Sequence, residues 1–149
     1  MAACTTHGAT TNLRVFFHTI ERSTERCEGN ENEAGWTGRI RTMLQRIKTL
    51  RGLRVALSVA RKMHFARPMD DALLEINRRA IELGDLKFAY HVATRAFFAV
   101  TLDKMLQNIV DAALKMGDTK LATKCANRMH FAAPADAARK QIIASIKSV

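Results

Sequence analysis

The sequence predicts an all-α chain, a short array of antiparallel helix pairs, and three observations carry that expectation. The phrase "MHFARPMD", starting at Met63, returns as "MHFAAPAD" at Met129, 66 residues later, with Met, His, Phe, Ala, Pro and Asp kept in order. Half that interval aligns Ala56, Ala89 and Ala122, then Ala60, Ala93 and Ala126, then Phe65, Phe98 and Phe131. Asp70, Asp103 and Asp136 align in the same way, as do Ile76, Ile109 and Ile142, and a fixed period of this size marks a repeat architecture. Composition agrees, because a chain that is 48% apolar but only 6% aromatic, with two prolines, favours helix over sheet.

Residues 1–12 read as disordered. "LRVFFHTIER" from Leu13 echoes "LRVALSVARK" from Leu53 at an offset of 40, as a degenerate half-unit with a longer loop would. That loop, "STERCEGNENEAG", is acidic and glycine-containing, and Trp36 closes it. A helix is expected over Gly38–Leu50, with Ile40, Met43, Leu44, Ile47 and Leu50 as its apolar stripe. In "DALLEINRRAIEL" (Asp71 to Leu83) the residues Leu73, Ile76, Ala80 and Leu83 fall on one helical face. Asp70 or Asp71 is expected to cap that helix and Gly84 to stop it. A second pattern runs from Leu86 to Phe98, with Ala89, Val92, Ala93 and Ala96 inward, small enough for two helix axes to approach closely. Pro68 and Pro134 are expected just before the next helix, and Phe65, Phe98 and Phe131 are expected to plug the space between stacked units.

A helix, a Gly-Asp turn, an Ala four residues after the Asp and, in two of the units, a Pro near the end (Pro68 and Pro134) resemble a tetratricopeptide (TPR) repeat. In that frame the units are Thr37–Met69, Asp70–Leu102 and Asp103–Ala135, and Asp136–Val149 is a final helix like the solvating cap of such arrays. The resemblance covers residues 37–149, with a period of 33 against about 34 in the family. It departs from the pattern at Leu44, Asn77 and Val110, where a small residue is usual, at Met63 and Met129, and at Arg51-Gly52, where the other units have Gly-Asp. The implied fold is a short TPR-like α-solenoid of antiparallel helix pairs with a C-terminal capping helix. The implied function is an adaptor that holds a peptide in a groove lined by Arg41, Gln45, Leu74, Arg78, Gln107 and Asp111. Some members clamp a terminal carboxylate; Lys104 keeps one basic place of that clamp, whereas Glu75 and Asn108 replace others, and Glu75 opposes a carboxylate.

The formal net charge of +10 points to an acidic partner. The unit Thr37–Met69 holds nine basic residues and no acidic one, and its basic patch is Arg39, Arg41, Arg46, Lys48, Arg51 and Arg54. Two offsets for that charge are open, the chain's own acidic loop "ERCEGNENE" or an external anion.

Catalytic signatures are absent: no phosphate-binding GxxxxGK[ST], no GxGxxG after a strand, no HExxH. His64 and His130 stand at equivalent places two units apart, too distant to share a metal at helix spacings of about 8–10 Å. Cys4, Cys27 and Cys125 have no zinc or disulfide spacing, and Cys125 aligns with Val59 and Val92, as a buried side chain would. No apolar run reaches the length of a membrane span. The expectation is therefore a non-enzymatic, cofactor-free, cytoplasmic binding module for an acidic protein or peptide segment. The alternatives are RNA binding through the basic first unit and a small TPR-type chaperone for secreted proteins. Apolar array ends also make a homodimer an expectation.

Overall fold

The computed structural model describes residues 42, 44–63 and 65–147. The chain divides after Gly35, and these residues all belong to the unit Trp36–Val149. Among them the secondary structure is entirely helical: α1 (Leu50–Ala60), α2 (Ala66–Glu82), α3 (Leu86–Ala93), α4 (Ala99–Lys115), α5 (Thr119–Ala126) and α6 (Ala132–Lys147). Residues 42, 44 and 45 are helical as well. The long helices α2, α4 and α6 lie side by side, while α3 and α5 each pack against the long helix before and the long helix after. Ala66, Ala99 and Ala132 open the long helices, and Leu86 and Thr119 open α3 and α5, so equivalent starts stand 33 residues apart.

The two Gly-Asp pairs serve both helices they join. Gly84 (φ +78°) and Gly117 (φ +75°) take the left-handed conformation that ends α2 and α4. Across the first turn the Asp85 N–H donates to the Ala80 carbonyl (3.0 Å) and the Gly84 N–H to that of Ile81 (2.9 Å). The Asp85 carboxylate then accepts from Phe88 N–H (2.9 Å), and that of Asp118 from Leu121 N–H (2.9 Å), capping the next helices. Each tight turn leaves its two helices packed together, and alanines line the contact: Ala56, Ala60, Ala89, Ala93, Ala122 and Ala126 are all buried. Ile76, Ile109 and Ile142 fill the core from the long helices. Asn77, buried where the neighbouring unit has Val110, donates Nδ2–H to the Ala89 carbonyl (3.0 Å) and ties α2 to α3.

Several expected boundaries are corrected. The helix expected to run through Leu50 does not, because residues 47–49 are non-helical and Leu50 begins α1. Thr49 caps α1, accepting from Gly52 N–H (3.2 Å), and Ile47 folds onto Gly52, where a β-carbon would sit 2.6 Å from Ile47 Cγ2. Ile47 and Leu50 therefore pack on the core from a turn and from α1. The long helices begin earlier than expected, which places Pro68 and Pro134 in the third residue of α2 and α6, inside the first turn where a missing N–H costs nothing. The final helix likewise starts at Ala132, not at Asp136.

Asp70 does not cap its own helix. It lies inside α2, only 2% exposed, and its carboxylate accepts from Phe97 N–H and Phe98 N–H (both 2.8 Å), 27 and 28 residues away. Asp103, 5% exposed in α4, accepts from His130 N–H (2.8 Å) and Phe131 N–H (2.9 Å) at the same separations. Each aspartate thus grips the backbone just ahead of the next long helix. Two charge-assisted hydrogen bonds and the positive end of that helix offset the cost of burying the carboxylate. The grip also explains why α3 stops at Ala93 instead of running to Phe98: the chain must turn to present those two N–H groups.

The phenylalanines of the repeated phrase do not plug the seams. Phe65 is 71% exposed, Phe98 44% and Phe131 48%. At Phe98 and Phe131 the backbone is held by the aspartates while the side chains stay exposed. His130 is exposed in the same turn, and His64 lies outside the described residues.

Replacing Asp103 by Asn keeps the volume but leaves one acceptor oxygen for two N–H donors and sets an NH₂ group against one of them. Asp103→Asn is expected to cost about 2–4 kcal/mol in chemical denaturation. Asp136→Asn, at the equivalent but exposed place, is expected to stay within about 0.5 kcal/mol of the parent.

Candidate functional site

The long helices leave an open cleft of about 400 Å³, lined by Gln45, Leu74, Glu75, Arg78 and Asn108. Gln45 comes from the helical residues before α1, the next three from consecutive turns of α2, and Asn108 from α4. Leu74 and Arg78 are four residues apart and Glu75 lies between them, so all three share one side of α2. Leu74 is half-buried against the core, and Gln45, Arg78 and Asn108 are exposed.

Arg78 is held by its own helix. Its Nη2–H and Nε–H donate to the two Glu75 oxygens (2.6 and 3.2 Å), and Nη1–H donates to Glu82. The hydrogen bond to Glu75 is the largest cause raising the Arg78 pKa, so the guanidinium stays charged and already paired. Arg79, beside it, donates to Glu82 and to the Ile47 carbonyl (2.9 Å), fastening α2 to the turn before α1. The cleft is therefore close to neutral. Its free valences are the carboxamides of Gln45 and Asn108, each with two donors and an acceptor, and the apolar flank of Leu74.

Three of the six expected groove residues, Gln45, Leu74 and Arg78, come together in this cleft. Gln107 and Asp111 do not line it: the Gln107 amide donates to Asp111 (2.9 Å) and to Gln141 of α6 (3.0 Å), bridging the two long helices. Asn108, the next residue on α4, lines it instead. Arg39 and Arg41 lie outside the described residues. The rest of the expected basic patch is divided: Arg46 and Lys48 are exposed around the turn before α1, Arg51 and Arg54 are exposed on α1, and none of the four lines the cleft. Glu75 was visible in the sequence as a poor carboxylate receptor; its pairing with Arg78 follows from their three-residue spacing.

Cys125 is fully buried on α5, and burial pushes its thiol up from an ordinary 9.0 to about 11. That is a packing side chain, not a nucleophile. Among the described residues no group of three or more His, Cys, Asp or Glu side chains is placed to hold a metal ion, and no helix is long and apolar enough to cross a membrane. No family model, curated protein or solved structure matches the chain.

With Cys4 and Cys27 replaced by serine, a thiol reagent at neutral pH is expected to modify Cys125 only as fast as the protein opens, and at once in denaturant. Because the folded thiol titrates higher than the unfolded one, the stability of this background is expected to decline as pH rises from 9.0 towards about 11, as far as Cys125 contributes. Denaturation midpoints across that window, beside a Cys125→Ala control, check the sign.

Proposed function

We propose that the chain is a TPR-like helical-repeat interaction module that seats an extended protein segment in the cleft between its long helices. The fold reading draws support from helix starts 33 residues apart, from paired helices closed by Gly-Asp turns, and from alanines at each helix–helix contact. Short arrays of helix pairs present such a surface on their long helices.

The observation that carries the functional reading is that two exposed carboxamides, Gln45 before α1 and Asn108 on α4, line one cleft together with Leu74. A carboxamide matches the donor and acceptor of a peptide bond, so two of them fix the backbone of a bound segment while Leu74 takes an apolar side chain. Arg78 adds no free positive charge, since two glutamates hold it, so the seated stretch is neutral. An acidic residue flanking that stretch meets Arg46, exposed and next to Gln45 in the chain.

Peptides selected from a random display library against the immobilised protein test this. Asn108→Arg, at an exposed position, is expected to leave thermal stability unchanged and to weaken the selected peptides at least about tenfold, a loss near 1.4 kcal/mol. A library that enriches nothing, or peptides indifferent to Asn108→Arg, would contradict the proposal.

A further inference from the structure

The helices that do not line the cleft carry a charge pattern of their own. Apart from the capping Asp85 and Asp118 at the starts of α3 and α5, whose carboxylates accept helix N–H groups, α1, α3 and α5 carry no acidic residue; Glu75, Glu82, Asp111 and Asp136 belong to the long helices. Their cations recur in place. Arg54, Lys87 and Lys120 stand at one equivalent position, and all are exposed. Eight residues on, just past the helix ends, Lys62, Arg95 and Arg128 form a second exposed row. Midway, His91 and Lys124 are exposed at the place Ser58 holds in α1. Steps of four residues keep these groups on one side of each helix, about 6 Å apart along it.

Two contacts carry this side from helix to helix. The Arg54 guanidinium of α1 lies 6.0 Å from the centre of the Phe88 ring of α3, and the Lys124 ammonium of α5 lies 4.5 Å from that of Tyr90, also of α3. No acidic residue among the described residues pairs with any cation of the two rows. Next to the second row in the chain stand the exposed phenylalanines of the seams. Lys62 precedes Phe65, Arg95 precedes Phe98 and Arg128 precedes Phe131, each by three residues, so the Cα atoms of each pair cannot be more than about 11 Å apart. Phe97 is exposed as well, edge-on to Phe98 with ring centres 5.2 Å apart.

We infer that this outer side binds single-stranded nucleic acid, its phosphates along the cation rows and its unstacked bases on the seam phenylalanines. Like charges repeated without acidic partners repel one another, and a polyanion relieves that repulsion while releasing its own counterions. Aromatic rings at a regular interval beside a cation track are what a single strand uses; a duplex keeps its base faces stacked and has no use for them. An anionic membrane surface would call for a continuous apolar face, whereas here one or two exposed rings stand in each repeat, next to cations in the chain. The inference is independent of the cleft. It also places the basic contribution on all three short helices, where the sequence reading had confined it to one unit.

The test is fluorescence anisotropy with the full chain and four probes: oligouridine and oligothymidine of about 20 nucleotides, a duplex of the same length, and vesicles rich in phosphatidylserine, from about 50 to 200 mM salt. Two variants are compared, Lys87→Gln/Lys120→Gln/Lys124→Gln and Phe65→Ser/Phe98→Ser/Phe131→Ser, with circular dichroism to establish folding. Single strands are expected to bind at least about tenfold tighter than duplex. The lysine variant should weaken them and flatten the logarithmic salt slope by about 2, from three phosphate contacts at about 0.7 each. The phenylalanine variant should erase the preference over duplex. Equal binding of single strand and duplex, indifference to the phenylalanine variant, no binding at about 100 mM salt, or binding to vesicles alone overturns the inference.

Discussion

The carboxylates of Asp70 and Asp103 set the geometry on which the rest depends. Each is nearly buried in a long helix and each takes two backbone N–H groups from the turn ahead of the following long helix. A charge in that position is tolerable only while both donors are present, so the contact is satisfied as a whole or not at all. It therefore fixes where α3 and α5 must end, where α4 and α6 must begin, and how far successive long helices advance. Local turn chemistry at Gly84-Asp85 and Gly117-Asp118 joins the helices of a pair; the buried aspartates join one pair to the next.

Two surfaces follow from that joint. On the long-helix side the register brings Gln45, Leu74 and Asn108 around one cleft, with Arg78 neutralised by Glu75 and Glu82. On the other side the short helices align Arg54 with Lys87 and Lys120, and Lys62 with Arg95 and Arg128. Phe98 and Phe131 stay exposed while the same hydrogen bonds hold their backbone. Charge is thus sorted by layer rather than by unit, and a net positive chain can offer a neutral cleft and a cationic back.

Much of this was legible in the chain itself. Helix stops at Gly84 and Gly117, alanine contacts and a buried Cys125 depend on local conformation or on side-chain size, which a sequence displays directly. Gln45, Leu74 and Arg78 were expected together from the tetratricopeptide resemblance, and they line one cleft. What was hidden depended on distant partners. An aspartate ahead of an apolar run looks like a cap for its own helix, and nothing local shows that Asp70 serves residues 27 and 28 positions on. Apolar periodicity carried the first helix through Ile47 and Leu50, but the Thr49 cap and the close approach of Ile47 to Gly52 break it there. A repeated phenylalanine suggests burial, yet apolar character does not by itself place a residue inside, and Phe65, Phe98 and Phe131 are exposed. The charge sorting was hidden for the same reason, since it needs the helix ends that the aspartates determine.

Native-state amide hydrogen exchange, resolved at Phe97, Phe98, His130 and Phe131, tests the joint most directly. These residues lie in turns between helices, where unpaired amides exchange quickly. If the buried carboxylates hold them, all four should exchange as slowly as the interior of α4, and only through openings that also expose Asp70 or Asp103. Exchange at the rate of an exposed loop, with α4 still protected, would contradict the account, and both surfaces would lose the register that builds them.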